Sequence, residues 1–254
     1  MSDFSSETPA ATVRAVERAL DILLYFAKSP RELSLSEIAR EVNLHKSTAH
    51  RLLLSLQAKG FVRRQHGSDK YILGWSILEL LGNVYLSDEL TTLALSEMTK
   101  LRDLTGETIS LYIRSGIERI RIQAVESTEP IRNVVAIGKT YPLYVGAGGK
   151  VLLAFADDAV VEEVLNREQL PSDFDRSELR AQLDKIRLDG YAVSIQERDA
   201  GAAAMAAPVF GRNHECVAAL AVSGPVSRLT LEKMQQHVDA LITSAEWLTK
   251  MLSH

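Results

Sequence analysis

One segment, residues 34–60, constrains the fold of this chain most: SLSEIAREVNLHKSTAHRLLLSLQAKG. It opens with Ser34 and Glu37, the spacing of a capping box, in which each side chain satisfies a backbone amide near the other. A short turn at residues 42–44 then leads into a second helix, which Gly60 is expected to end as a left-handed cap. Two short helices joined in this way cross each other, so the exposed face of the second can enter a DNA major groove. The segment therefore predicts a helix-turn-helix.

The second helix of this segment has two distinct faces. Ala49, Leu52, Leu53 and Leu56 recur at helical spacing and predict a buried stripe. The opposite face carries cationic and polar side chains, which suit phosphates and base edges. An ordinary helical hairpin with a charged surface is the alternative. The residues of this motif predicted to contact DNA are Ser36, His45, Lys46, Ser47, Thr48, His50 and Arg51.

A basic hairpin follows the helices. FVRR and KYIL are predicted as two short strands, and QHGSD between them has the composition of a turn. A hairpin at this position is typical of the wing of a winged helix-turn-helix, which makes the ordinary helical hairpin a poor alternative. The wing residues predicted to contact backbone phosphates are Arg63, Arg64 and Lys70.

Charge is distributed unevenly along the chain. The net charge is −4, but residues 1–75 carry 11 Lys and Arg against 8 Asp and Glu, whereas the remaining residues carry 18 against 25. A basic region is typical of phosphate binding, although it can also be a solvated surface. The bias agrees with nucleic acid as the partner of the N-terminal part.

From about residue 88 the pattern changes to strands, hairpin turns and intervening helices. The segments predicted as strands are ETISLYIR, ERIRIQAVE, RNVVAIG, YAVSIQER, AMAAPVF and CVAALAVSG. Strands joined largely by hairpins predict an antiparallel sheet flanked by helices, and hence an α+β fold. The predicted organisation is a disordered tail at 1–10, a winged helix-turn-helix domain at 11–74, a linker helix at 75–87 and a second domain at 88–254. The apolar faces of residues 13–27 and 75–86 are the predicted pairing surfaces of an even-numbered homo-oligomer.

Composition excludes several classes of protein. No apolar run approaches the roughly 20 residues of a transmembrane helix, and the polar, acidic start lacks the features of a secretory signal. The single cysteine, Cys216, excludes an internal disulfide and suits a reducing cytoplasm. His214 and Glu215 beside it raise the possibility of a nucleophile or a metal site, but no CxxC or HxxxH motif is present, and a buried cysteine at a strand start is favoured. We predict no catalytic residue, metal or cofactor.

The sequence blocks of both halves resemble the IclR family of transcriptional regulators. In the N-terminal half they are VRAVERALDILLYFA, the helix-turn-helix with FVRR, and KYILGW; in the C-terminal half they are TGETISLYIR, YPLYVGAGGKVLLAF, IRLDGYAVSIQERDAG, AAPVF and VSGPVSR. The resemblance covers nearly the whole chain. It implies a GAF-like sensor domain, a cytoplasmic location, dimers paired into tetramers, and double-stranded operator DNA and a small-molecule effector as partners. It fixes neither the operator nor the effector.

The resemblance also implies which residues bind the effector. In family members that bind very small keto-acids, the backbone of a small-residue turn and polar side chains on three strands hold the ligand. Matched to this chain, an Asp position becomes Ser194, a Cys position Ala204 and one of two Ser positions Ala221. This loss predicts a roomier, more apolar pocket for an aromatic or partly apolar carboxylate, such as a benzoate-like catabolic intermediate. The predicted pocket residues are Ala147, Gly148, Ser194, Ala204, Ala221 and Ser223.

Alternatives remain for the pocket and for the function. For the pocket, the alternative is that the small side chains accommodate bulky neighbours such as Tyr144 or Met205 and leave no larger cavity. The run GAGGK, residues 146–150, resembles a phosphate-binding loop but lacks the GxxxxGK[ST] spacing, so a nucleotide is not predicted. The second candidate function is a structural DNA-binding protein whose C-terminal domain only oligomerises; an enzyme is the third.

Overall fold

The computed structural model describes residues 12–29, 32–87, 89–132, 136–168 and 170–252, of which residues 82–87 and 89 are described by their backbone alone. The predicted tail at 1–10 lies outside these residues. The chain divides into two compact units, with the boundary between Leu86 and Ser87. Within the described residues, no helix has the length and apolarity needed to cross a membrane.

The first unit is a winged helix-turn-helix, as predicted. Ser34 and Glu37 form the capping box: the Glu37 carboxylate accepts from the Ser34 amide at 2.7 Å, and the Ser34 hydroxyl accepts from the Glu37 amide at 3.3 Å. Asn43 adopts a left-handed conformation, with φ of 50°, in the turn between the two motif helices. The elements are α1 (Arg14–Lys28), α2 (Leu35–Glu41), α3 (Lys46–Ala58), β1 (Val62–Arg64), β2 (Tyr71–Leu73) and α4 (Ser76–Ser87).

The second unit is built on an antiparallel sheet. In the described residues six strands pair in the order β5-β4-β3-β8-β7-β6. The predicted α+β class, with an antiparallel sheet flanked by helices, is confirmed. The elements are α5 (Glu89–Thr105), β3 (Thr108–Ser115), β4 (Glu118–Val125), β5 (Thr140–Pro142), α6 (Ala147–Ala154), α7 (Asp158–Leu165), α8 (Arg176–Asp189), β6 (Ala192–Ile195), β7 (Ala202–Phe210), β8 (Cys216–Pro225) and α9 (Leu231–Leu252).

The two faces of this sheet differ in side-chain size. Because strand side chains alternate between faces, Met205 and Val222 pack with α5 and α9 on one side. On the other side Ala206, Ala219 and Ala221 pack with α6, α7 and α8. These small side chains leave room between the sheet and the beginning of α6.

Three local features differ from the sequence interpretation. The strand predicted at RNVVAIG is wrong at its end, because residues 137–138 form a turn; its residues 133–135 lie outside the described residues. Strand β5 and helix α7 were not predicted. A three-residue strand such as β5 is too short to show an alternating pattern, because alternation is recognised over four to eight residues.

A partly buried ion pair joins the start of β3 to the turn after β8. Arg228 donates to both carboxylate oxygens of Glu107, at 2.5 and 2.7 Å, and also to the carbonyl oxygen of Ile131 at 3.0 Å. Gly224 makes room for this pair, because a Cβ atom there would collide with the Glu107 carboxylate. The pair therefore links two segments that lie far apart in the sequence.

Candidate DNA-binding surface and ligand cavity

Helix α3 presents the polar face that its sequence predicts. Ala49, Leu53 and Leu56 are buried against the first unit's core, which fixes the direction of the opposite face. That opposite face is open to solvent. Of the predicted contact residues, Ser36, His45, Lys46, Ser47 and Arg51 are exposed, and Thr48 and His50 are half-buried.

The N-terminus of α3 lacks a side-chain cap. His45 occupies the N-cap position without a capping hydrogen bond, and the first turn contains no acidic residue. The amides of Thr48 and Ala49 donate to the His45 carbonyl, whereas those of Lys46 and Ser47 have no acceptor within the described part of the chain. Free amides at the positive end of a helix, beside a lysine, form an arrangement that binds phosphate.

The predicted phosphate contacts of the wing interact with neighbouring side chains. Arg63 stacks over Trp75 at 5.2 Å. Arg64 donates to Asp69 at 2.9 Å, and Lys70 donates to Glu32 at 3.0 Å. Exposed ion pairs of this kind contribute about 0–1 kcal/mol, so both cations can exchange their partner for a phosphate at little cost.

A cavity of about 40 Å³ lies where the N-terminus of α6 faces the sheet. The strand register pairs Ser194 with Ala204 and Ala204 with Ser223, so these three residues form one row across β6, β7 and β8. The structure brings all six predicted pocket residues together around the cavity: Ala147, Gly148, Ser194, Ala204, Ala221 and Ser223.

Charged residues that the sequence reasoning missed also line this cavity. Arg119 comes from β4, and Glu197, Arg198 and Asp199 come from the loop between β6 and β7. Tyr112 of β3 contributes an aromatic ring to the wall of the cavity. The lining is therefore more highly charged than the six predicted positions alone would make it.

The loop between β6 and β7 is anchored to α6 by Glu197. One carboxylate oxygen of Glu197 accepts from the Lys150 ammonium at 2.5 Å, and the other accepts from the Gly146 amide at 2.9 Å. Arg198 pairs with Asp199 at 2.5 Å and stacks over Tyr141 at 4.4 Å. The loop thus holds its charged side chains at the edge of the cavity.

Two backbone amides at the beginning of α6 line the cavity without a hydrogen-bond acceptor in the described residues. The amides of Gly149 and Lys150 donate to the Gly146 carbonyl at 3.1 Å. Those of Ala147 and Gly148 have no acceptor among the residues that the structure describes. Together with the helix dipole, these two amides form a binding site suited to a negatively charged group.

The bulky neighbours named in the alternative do not line the cavity. Tyr144 packs edge-to-face on Phe174, with ring centroids 5.3 Å apart. Met205 lies in the core on the other face of the sheet. Larger side chains nevertheless line the space beside the small ones, namely those of Tyr112, Arg119 and Arg198, and only about 40 Å³ remains. The cavity is therefore smaller and more highly charged than the roomy, apolar pocket that the sequence predicted, and the alternative without a larger cavity is the better description.

Cys216 lies at the start of β8, where its thiol donates to the Ala218 carbonyl at 3.4 Å. Burial raises the pKa of the Cys216 thiol to about 12. Across the described residues, no group of three or more His, Cys, Asp and Glu side chains is arranged to hold a metal ion. The position therefore suits a packed, unreactive thiol.

We expect Cys216 to react slowly with iodoacetamide at pH 8. Only the thiolate is nucleophilic, and a pKa of about 12 leaves very little of it at that pH. Alkylation of the native protein, followed by mass spectrometry, should be at least about tenfold slower than that of free cysteine. The urea-unfolded chain is the control and should react at the normal rate. Equal rates for folded and unfolded protein would contradict a raised pKa of the Cys216 thiol in the folded state.

Comparison with known proteins identifies relatives of both units. Residues 15–66 match the model of the IclR helix-turn-helix domain, and residues 83–250 match that of the bacterial transcriptional regulator IclR C-terminal domain. The chain is 36% identical over 225 residues to the glycerol operon regulatory protein of Streptomyces griseus, covering 87% of this chain and 88% of the relative.

Solved structures share the fold. An IclR transcriptional regulator from Alicyclobacillus acidocaldarius superposes with a TM-score of 0.84 at 27% identity, covering 96% of this chain and all of that one. An IclR homologue from Microbacterium hydrocarbonoxydans, crystallised with 4-hydroxybenzoate, superposes with a TM-score of 0.78 at 24% identity, covering 93% of this chain and 99% of that one.

Proposed function

Because the chain belongs to the IclR family of bacterial transcriptional regulators, we propose that it binds operator DNA through α3 and the wing, and that a carboxylate effector bound beside α6 alters its affinity for that DNA. The family consists of DNA-binding regulators rather than enzymes. The observation that carries the proposal is that one chain contains both an exposed cationic helix face and an internal site suited to an anion.

The DNA-binding part of the proposal rests on α3. The N-terminus of α3 has no side-chain cap and is free to bind a phosphate. One to two turns later, the exposed Arg51 can contact the edge of a base. Arginine can donate two hydrogen bonds to guanine, and such contacts carry sequence specificity. Phosphate contacts from the wing, in contrast, position the protein without reading the sequence.

Arg51→Ala should weaken binding to the operator by on the order of 1–3 kcal/mol and leave binding to unrelated DNA nearly unchanged. Arg64→Ala should weaken binding to both DNAs evenly and reduce the salt dependence, because it removes one phosphate contact. Fluorescence anisotropy at several salt concentrations measures both effects. An unchanged operator affinity for Arg51→Ala at fixed salt would show that α3 does not read the bases in this way.

The effector part of the proposal rests on the cavity beside α6. The Ala147 and Gly148 amides and the Ser223 hydroxyl suit a carboxylate, whereas Ala204 and Ala221 offer methyl groups to an apolar portion. At about 40 Å³ the cavity takes only about three water-sized groups. A larger ligand must therefore extend beyond it.

A neighbouring groove offers that room. It measures about 370 Å³, is lined by Tyr144, Phe174 and Leu179, and shares Glu197 with the cavity. An aromatic carboxylate bound beside α6 would extend its ring past Glu197 into this groove. The 4-hydroxybenzoate complex of a protein with the same fold supports an aromatic acid as the first class to test. Control of a catabolic operon is the corresponding biological role.

Thermal-shift titration tests the effector class, because a ligand that binds the folded state stabilises it by mass action. Hydroxybenzoates should raise the melting temperature more than glyoxylate or pyruvate, and should change operator affinity in anisotropy measurements. A shift with the keto-acids alone would overturn the aromatic assignment. Binding without any change in operator affinity would favour a structural DNA-binding protein, and turnover of the ligand would favour an enzyme.

We also propose that the chain forms an even-numbered homo-oligomer on a pseudo-palindromic operator. A single winged helix contacts little DNA, and two-fold pairing doubles that contact. Helix α1 supports the proposal, because it buries Ile22 and Phe26 yet leaves a second apolar stripe open to solvent. That α1 stripe consists of Val13, Val16, Leu20 and Leu24. Exposed apolar side chains at and within α4 extend the available surface: Trp75, Leu78, Leu80 and Leu81.

A further inference from the structure

Arg119 is a buried cation with unusual surroundings. Its side chain projects from β4 against the beginning of α6, and the residue is only 3% exposed. Its Nη1 donates to the carbonyls of Pro142 and Val145, at 2.8 and 2.6 Å. Its Nε, which is also buried, has no hydrogen-bond partner within the described residues. One donor of a charged group thus remains unused at the wall of the cavity.

The charge of Arg119 also has no acidic partner in the part of the chain that the structure describes. None of the ion pairs among the described residues includes it. The acidic residues of the cavity wall are already engaged, Glu197 with Lys150 and Asp199 with Arg198. The Tyr112 and Tyr141 rings, 5.3 and 5.4 Å from the guanidinium, attract the cation but do not neutralise it.

The position of Arg119 makes the charge more costly still. Its guanidinium contacts the first turn of α6, where the helix dipole is also positive. The chain has glycines where this approach is closest: a Cβ atom at Gly146 would lie 3.0 Å from Nη2, and one at Gly149 would collide with Nη1. Burial lowers the pKa of Arg119 to about 10, so the side chain remains charged at neutral pH. An unpaired buried charge destabilises the folded state, whereas a hydrogen-bonded counter-ion offsets that cost.

From this arrangement we infer that Arg119 is the counter-ion of the bound effector and makes the cavity select a monoanion over a neutral molecule of the same shape. The inference rests on the proposed effector function and adds to it a role for Arg119 and a preference for monoanionic ligands. The ligand carboxylate lies between the Ala147 and Gly148 amides and the guanidinium, so that it neutralises the helix terminus and Arg119 together. One negative charge balances the cavity, because its other charged side chains are paired.

The test compares acids with their amides on the full-length wild-type protein. Isothermal titration with 4-hydroxybenzoate and 4-hydroxybenzamide, and with pyruvate and pyruvamide, measures the selection directly. We expect at least tenfold tighter binding of the acid in whichever pair binds. An amide that binds as tightly as its acid would overturn the inference and leave the proposed effector function standing. A lack of binding by all four compounds would count against the inference and against both effector classes.

Variants assign the selection to Arg119. Arg119→Gln removes the charge but keeps an amide donor, so affinity for the acid should fall at least tenfold while affinity for the amide changes less than threefold. Arg119→Lys keeps the charge and should retain a preference for the acid. Arg114→Gln, an exposed arginine on the neighbouring strand β3, is the matched control and should bind like wild type. Equal losses for acid and amide in both Arg119 variants would indicate a structural role and overturn the assignment.

Discussion

The double substitution Leu20→Glu/Leu24→Glu should abolish pairing through α1, reduce the oligomeric mass at least twofold and reduce operator affinity by at least about 100-fold. These side chains are 52% and 62% exposed, one turn apart on the side of α1 that faces away from Ile22 and Phe26. Each large apolar side chain that becomes fully buried contributes about 1.5–3 kcal/mol, and a two-fold interface counts each position twice. Four buried carboxylates in place of four leucines would also leave unpaired charges.

Size-exclusion chromatography with light scattering measures the first effect. Wild type should have an even multiple of the 28.0 kDa mass of a single chain at micromolar concentration, and the double variant should have at most half of the wild-type mass. Circular dichroism should be unchanged, because neither leucine belongs to the core of the first unit. Leu188→Glu is the matched control, since Leu188 is an exposed leucine on α8 in the other unit.

Operator binding supplies the second readout. Two recognition helices held by one interface bind two half-sites together, so loss of the interface removes half of the contacts. Affinity for a single half-site should change little, because α3 and the wing are untouched by the substitutions. A double variant that keeps its oligomeric mass would show that the α1 stripe is not the pairing surface.

The helix-turn-helix could be predicted from the sequence because its determinants are local. The capping box of Ser34 and Glu37 starts α2, Gly60 adopts a left-handed conformation just after α3, and the stripe containing Leu53 fixes the buried face. Each of these signals acts over a few residues along the chain. The ion pairs of the wing could not be predicted in the same way, because Lys70 reaches back to Glu32 across the fold.

The ligand cavity could be predicted only in part. The resemblance to a family predicted the small residues of the cavity, and the structure brings them together. Arg119 was missed because ERIRIQAV alternates charged and apolar residues, which normally indicates a strand with one solvated face. In the structure Arg119 and Arg121 are both buried, and the Arg119 guanidinium lies against the beginning of α6, which packs on β4. Whether a strand face is covered depends on elements distant in sequence, so alternation alone cannot decide it.

Arg228→Met should lower the stability of the second unit by about 3 kcal/mol. Glu107 is 3% exposed at its side chain, and Arg228 supplies a donor to each of its carboxylate oxygens. Removing one partner of a buried pair costs roughly 3–5 kcal/mol, and the lower value applies because Arg228 is itself 35% exposed. For a unit of this size the melting temperature should fall by roughly 6–12 °C, measured by near-ultraviolet circular dichroism.

A matched control separates this effect from the loss of any ion pair. Lys185 and Asp189 form an exposed pair on α8 at 3.7 Å, so Lys185→Met should change stability by less than about 0.5 kcal/mol. The double variant Glu107→Gln/Arg228→Met should be more stable than Arg228→Met alone, because no buried carboxylate is then left without its counter-ion. If Arg228→Met is no less stable than Lys185→Met, the pair behaves as a surface contact. In that case the joining of β3 to the turn after β8 must come from apolar packing of the sheet rather than from Glu107 and Arg228.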